Sequence, residues 1–281
     1  MNALNGVATR RWAFVSAFPL LAILMLFEVM PLAAVLVDSF TANGHWSFSN
    51  YMEIIGSAFQ RNAFVTSFEL SVATASIGVA LALPIAVTLK RMPRGVQRLL
   101  LSYANIGANF TGFPIAFAFI IMFGFSGLFT LVLVRAGLVN GLNVYSIGGL
   151  VLVYAYFQIQ LGLLLLFPAL DAISPDLREA ARIMGASAFS FWRRIALPIL
   201  RPALIGTFVL LFANAMGTYA TAYALVGGNA NLVTIRIGEL IAGDVFTDPH
   251  RADALASLLV ISLAIPILIE QIFLRRHRGH E

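Results

Sequence analysis

IGGLVLVYAYFQIQLGLLLLFPAL, residues 147–170, runs without a charge into DAISPDLREAARIMGASAFSFWRRIALP, residues 171–198. The first part has 24 mostly apolar residues, and about 20 such residues cross the hydrocarbon core of a bilayer as a helix. The second part is polar and carries its own helix signals. Ser174 is a good N-cap, Pro175 suits the first helical position, and Asp176 sets negative charge at the positive end of the helix dipole. A membrane helix that delivers a capped, amphipathic hairpin to water on one side is the reading from which the rest of the chain follows.

The whole composition agrees with a bilayer. Of 281 residues, 60% are hydrophobic and 11% charged, against about 25% charged in soluble proteins. The mean hydropathy is +0.89. Six apolar runs are long enough to span, at residues 13–37, 65–89, 99–123, 147–170, 203–226 and 254–274. The expected fold is an all-α membrane protein of six transmembrane helices, residues 1–281 forming one membrane domain. The net charge of +5 does not point to nucleic acid, because the basic residues sit between apolar runs and not on one soluble face. Cysteine is absent, which excludes disulfides and thiolate metal sites. Arg10 and Arg11 precede an apolar run that resembles a signal peptide, but the run continues past Glu28 to Val37 with no small-residue cleavage site, so it reads as a retained span.

Lys and Arg are held on the cytoplasmic side of a membrane. With the N-terminus inside, 14 of the 18 basic residues fall on that side, among them Lys90, Arg91, Arg178, Arg182, Arg193 and Arg194. Only Arg61, Arg135, Arg236 and Arg251 fall outside. Both termini are therefore expected in the cytoplasm of a bacterial-type cell whose inner membrane the chain crosses several times. In the outer segment 124–146 the apolar stretch from Leu128 to Val134 is too short to span and is expected to lie at the interface or fold back.

Within the hairpin, Leu177, Ala180, Ala181 and Met184 fall at i, i+3, i+4 and i+7 and predict one apolar face with two small residues at its centre. Glu179 sits beside Ile183, and Arg178 and Arg182 stack one turn apart. Gly185 is expected to end the helix. Ser187 can cap a second short helix, which is expected to stop before Pro198 because a residue preceding proline disfavours the α region. On spacing alone, an amphipathic loop resting on lipid headgroups fits equally well.

The spelling of the loop adds to the spacing. Glu-Ala-Ala, three residues, Gly, nine residues, Ile, one residue, Leu-Pro is met at Glu179, Ala180, Ala181, Gly185, Ile195, Leu197 and Pro198, with Pro175 and Leu177 before them. This resembles the signature of binding-protein-dependent ABC importer permeases, over roughly residues 65–274. The resemblance implies a type I importer fold in which the hairpin docks in a cleft of a separate ATPase dimer. Glu179 would make polar contacts there, Ala180 and Ala181 would allow close docking, and Gly185 would form the corner. It also implies an external or periplasmic solute-binding protein and a second permease subunit, expected to be a different chain. No cofactor is expected in this chain: it has no phosphate loop, so ATP and Mg belong to the partner ATPase.

Polar residues inside spans tend to face a bundle interior. Ser102, Asn105, Asn109 and Gly112 follow helical spacing, as do Asn214, Thr218 and Thr221 with Tyr219 and Tyr223 beside them, and Tyr154 pairs with Gln158. These residues are candidates for a substrate pathway, and packing between helices would use the same residue types. Glu28 and Glu69 lie near the outer interface, and no Lys or Arg falls inside a span, which favours a cationic or neutral substrate. His45, His250, His277 and His280 form no ligand pattern. Residues 225–228, LVGG, and the acidic positions Glu239, Asp244, Asp248 and Asp253 are similar to permeases grouped with spermidine and putrescine importers. A polyamine or related amine is the expected substrate, with iron, phosphonate or opine as alternatives from the same grouping. A secondary transporter would need a coupling-ion site and related halves, and an enzyme would need a catalytic constellation; neither is present in the sequence.

Overall fold

The computed structural model describes residues 18–42, 44–139, 141–242 and 247–278, with side chains up to residue 272. Arg10, Arg11, residues 13–17 of the first expected span, Asp244 and His280 lie outside the described residues. Among the described residues the chain is almost wholly helical, and six helical segments are long and apolar enough to cross a membrane: Phe18–Asp38, Ala58–Leu89, Phe113–Arg135, Ile147–Ala172, Ala188–Gly217 and Pro249–Ile272. It falls into two compact units, one made of residues up to Ala58 with Ile237–Leu258, the other of Phe59–Arg236 with the residues from Leu259 onward.

In the first unit, α1 (Phe18–Asp38) is apolar on every side and exposed along nearly its whole length, as suits a helix whose solvent is lipid. A small hairpin follows, β1 (Thr41–Ala42) and β2 (His45–Trp46), with Thr41 opposite Trp46 and Ala42 opposite His45. Asn50, at the start of α2 (Ser49–Gly56), ties it down: its Nδ2 donates to the carbonyls of Ser39 at 3.1 Å and Thr41 at 3.0 Å. Phe40 packs between the rings of Phe48 and Tyr51. Arg251 pairs with Glu53 and, at 3.4 Å, with Asp248.

The second unit begins with α3 (Ala58–Leu89), followed by α4 (Arg94–Asn109), α5 (Phe113–Phe123) and α6 (Leu128–Arg135). Next come α7 (Ile147–Ala169) and α8 (Pro175–Ile183), then α9 (Ala188–Gly217) and α10 (Ala220–Val226). α11 (Val233–Ala242) and α12 (Pro249–Arg278) each contribute residues to both units. α7 is the central helix, packed on α4 along one side and on α9 along another. Leu150, Val153, Tyr154 and Phe157 of α7 are fully buried with Leu225, Val226 and Ile235 around them, and lower on the same helix Leu163 and Leu166 meet Ala82, Ala86, Ala104 and Leu200.

The third expected span is the largest revision. The run 99–123 is not one helix: α4 stops at Asn109, and α5 starts at Phe113. Gly112 has φ +79° and ψ −145°, a conformation open essentially to glycine, and Pro114 then occupies the first turn of α5, where its missing amide is not needed. The apolar stretch of spanning length is displaced to Phe113–Arg135, which absorbs the Leu128 to Val134 segment. The fifth expected span, 203–226, also breaks. Thr218 is extended, with ψ 112°, between α9 and α10.

The hairpin's second helix does not stop before Pro198. It continues as α9, because residues Trp192–Ala196 form a π turn in which the Leu197 amide reaches back to the Trp192 carbonyl. The α-helical register restarts at Leu197, φ −63° and ψ −42°, so Pro198 sits in a first turn and removes no needed donor.

Candidate functional site

The hairpin is built by three local devices. Ser174 Oγ accepts the Leu177 amide at 3.2 Å and Ser187 Oγ accepts the Ser190 amide at 3.2 Å, so each hydroxyl satisfies one free donor of its helix start. Between them Gly185, at φ +79°, closes α8: its amide reaches the Arg182 carbonyl and the Ala186 amide reaches the Ala181 carbonyl, both at 2.9 Å. That pair of bonds is the Schellman arrangement, which needs a left-handed residue at this place.

The expected apolar face of α8 is divided by tertiary packing. Ala181 is 1% exposed and packs inside the hairpin on Phe191 and Ala196, with Ile173, Trp192 and Ile195 around them. Ala180 is exposed, Leu177 is exposed along one edge, and Glu179 is exposed. Ile195 is half-buried, while Leu197 and Pro198 are exposed on α9. The outward apolar surface is therefore Met184, 78% exposed, joined by Ile183 at 83% and Phe189 at 74%. Ile183 and Phe189 were not singled out from the sequence. Their signal was two large apolar residues flanking a glycine corner in a charged loop.

The candidate pathway residues separate by exposure. Asn105, Asn109, Asn214 and Tyr219 are exposed and Thr218 is half-buried, whereas Tyr154, Gln158 and Thr221 are buried. Asn109 Nδ2 donates to Asn105 O at 2.8 Å and to its Oδ1 at 3.1 Å, one turn back. Two of the buried three, Thr221 and Tyr154, hold backbone that the helix breaks set free, while Gln158 reaches a carbonyl inside α9. Thr221 Oγ1 accepts the Gly112 amide at 2.9 Å and donates to the Gly112 carbonyl at 3.2 Å. The Thr218 carbonyl receives Tyr154 OH at 3.2 Å and Thr234 Oγ1 at 3.3 Å. Gln158 Nε2 donates to Leu211 O at 2.6 Å. Non-helical backbone survives at membrane depth only where such partners satisfy it, so Thr221 and Tyr154 are joint residues at the breaks, and Gln158 ties α7 to the interior of α9. Gly112 itself forms the joint and is not a member of a helical stripe.

Glu28 lies in a π turn, Met25–Val29, and is exposed, as is Glu69 on α3. Glu270 on α12 carries no motif in the sequence. Its carboxylate lies so close to α9 that a Cβ at Gly206 would come within 2.6 Å of Oε1. Among the described residues, no group of three or more His, Asp or Glu side chains stands together.

The family described as binding-protein-dependent transport system inner membrane component matches residues 77–277, well over half of the chain. The molybdenum transport system permease protein ModB of Mycobacterium tuberculosis is 24% identical over 262 residues, covering 92% of this chain and 92% of that protein. The ferric transport system permease protein FbpB of Actinobacillus pleuropneumoniae is 22% identical over 259 residues, 91% of this chain. The chain spans less than half the length of such ferric relatives, 37% of this one and 41% of one from Haemophilus influenzae. In fold, a chain of a bacterial ABC transporter that imports alginate superposes with a TM-score of 0.75 at 15% identity, over 98% of this chain and 99% of that one. The MetNI methionine ABC transporter gives 0.55 at 18% identity, over 76% of this chain and 94% of that one. With six apolar helical segments among the described residues and a family match over residues 77–277, the chain belongs to the binding-protein-dependent transport system inner membrane components, as a multi-pass permease of the inner membrane.

Proposed function

We propose that this chain is one of two permease subunits of an ATP-driven importer, with both termini cytoplasmic and the 174–198 hairpin docked on a separate ATPase that binds ATP and Mg. The observation that carries the reading is the exposed tip Ile183, Met184 and Phe189 around Gly185. Large apolar side chains at the corner of a charged, water-facing loop suit a protein cleft. Ala180 and Glu179 stand exposed beside the tip, where a partner could approach closely and meet a carboxylate.

The continuity of α9 supplies the mechanical link. One helix, Ala188–Gly217, runs from the docked hairpin to the break at Thr218. A displacement of the tip by the closing ATPase pair is thus carried along a rod to the place where the polar side chains gather. A pathway shared with a second chain must be lined by residues at least partly exposed on the isolated subunit, which selects Asn105, Asn109, Asn214, Thr218 and Tyr219 and sets Tyr154, Gln158 and Thr221 aside as buried contacts between helices. The second permease is read as a different chain, and the solute as one delivered by an external binding protein. The polyamine expectation draws no support from relatives named for iron and molybdenum; amide, hydroxyl and phenol groups on the exposed stripe suit a small hydrophilic solute.

The test is uptake in liposomes holding this chain with its sister permease and ATPase, supplied with the binding protein. Uptake that requires ATP inside the ATPase compartment supports the reading. Uptake driven by an ion gradient in the absence of ATP overturns it.

A further inference from the structure

A cavity of about 800 Å³ lies between the end of α3 and the hairpin. Lys90, Arg91, Arg178 and Arg182 line it, against the two carboxylates of Asp171 and Glu179. Lys90 is already paired with Asp171 at 2.8 Å and lies 4.2 Å from the centre of the Phe167 ring. The three guanidinium groups are not so engaged. Among the described residues none of them has a carboxylate partner, and Arg178 has only the face of Phe191, at 5.5 Å. The cavity therefore keeps an excess of positive charge and three planar donors without an acceptor.

Its position supplies the second half of the argument. α3 ends its apolar run at Leu89, and α7 ends its own at Leu170 beside Asp171, so the cavity straddles the level at which the chain passes from apolar to charged sequence. Val87, Leu170, Ile173, Ile183 and Trp192 form its apolar lining. Indole and long cationic side chains concentrate at this level of a bilayer.

We propose that this cavity binds the phosphate headgroup of an anionic phospholipid of the leaflet that faces the hairpin. Guanidinium forks match phosphate oxygens in pairs. The apolar lining decides between a lipid and a soluble anion, since only the lipid brings a glycerol and acyl segment to cover it. A lipid bound there would touch the end of α3, the link that follows α7, and α8 together, and so would bias the position of the hairpin relative to the spans. The inner leaflet as its source rests on the orientation proposed above. The site does not, and binding in detergent tests it without reference to topology, ATPase or transport.

The purified chain in neutral detergent is titrated with short-chain phosphatidylglycerol, short-chain phosphatidylcholine and inorganic phosphate, and bound ligand is counted by native mass spectrometry. Phosphatidylglycerol is expected to bind at least tenfold tighter than phosphatidylcholine, since the attractions of two or three basic residues to an anionic headgroup add together. Arg91→Gln with Arg182→Gln is expected to abolish that preference, Arg91→Lys with Arg182→Lys to keep most of it, and Arg193→Gln with Arg194→Gln, outside the cavity, to leave it unchanged. Equal binding of the two lipids overturns the proposal, as does equal loss in both Gln pairs, which would mark diffuse attraction. Inorganic phosphate binding as tightly as phosphatidylglycerol overturns the lipid assignment. So does loss of bound phosphatidylglycerol when the ATPase is added, which would give the cavity to a protein partner.

Discussion

Thr221 holds Gly112 twice, accepting its amide at 2.9 Å and donating to its carbonyl at 3.2 Å, across 109 residues of sequence. Gly112 lies in the α4–α5 break and Thr221 in the first turn of α10, so one hydroxyl closes that break against α10. An unsatisfied buried backbone group costs about 1–3 kcal/mol, and in lipid no water can replace the partner. Thr221→Val keeps the shape and removes the hydroxyl, so it is expected to lower the thermal midpoint of the purified chain measurably, by about 1–3 kcal/mol in stability. Thr221→Ser, which keeps the hydroxyl, is expected to stay close to wild type. If the valine variant melts with the wild type, the joint is held by packing and not by this bond.

Exposure separates residues that spacing had grouped. Asn109→Leu and Asn214→Leu are expected to reduce uptake severalfold while the protein still assembles, because both side chains are exposed. Gln158→Leu is expected to transport normally. Its amide is fully buried, and although it bonds Leu211 O, its own Oε1 has no partner, so leucine removes one bond and one unsatisfied acceptor together. Uptake lost in Gln158→Leu but retained in both Asn variants would invert the pathway assignment.

The orientation has a direct readout. A reporter active only outside the cytoplasm is expected to work when fused after His45 or Asp248 and to fail after Arg94, Met184 or Arg276, in keeping with the basic residues that flank the latter three. Activity after Met184 would place the hairpin on the wrong side for any ATPase.

The hairpin's caps were readable in the sequence because they are local chemistry. Ser174, Pro175, Gly185 and Ser187 act on amides within five residues of themselves, and each does in the structure what its type predicts. Five of the six apolar runs were readable for the same reason, since length and hydropathy are properties of a segment alone, while the third was expected at 99–123 and lies at Phe113–Arg135. The breaks were not read, although Gly112 with Pro114 carried the signal, because an unbroken apolar run masks a glycine that the helix could also have absorbed. The π turn at Trp192–Ala196 has no comparable local sign, and it reversed the expectation for Pro198. The division of the α8 face depended on Ala181 meeting Phe191 and Ala196, a contact that no periodicity states.

The corner of the hairpin gives the sharpest test of coupling. Gly185→Leu puts a branched side chain at φ +79°, where an L-residue costs about 1–2 kcal/mol, and the two amide bonds that close α8 depend on that conformation. A Cβ at Gly185 meets no atom within 4 Å, so the cost is conformational and stays local. Phe189→Ser removes an exposed apolar anchor, and such anchors at a protein cleft are worth about 2 kcal/mol or more. Glu179→Lys reverses an exposed charge beside them, which acts only through whatever the cleft presents. None of the three touches an apolar run, so insertion into the membrane is expected to be unchanged. Substrate-stimulated ATP hydrolysis by the reconstituted complex is expected to fall at least tenfold, with less ATPase retained on co-purification, most in Phe189→Ser, where about 1.4 kcal/mol already makes a factor of ten. Hydrolysis and retention at wild-type levels in all three variants would leave the hairpin as a connector on the membrane surface and remove the coupling assignment.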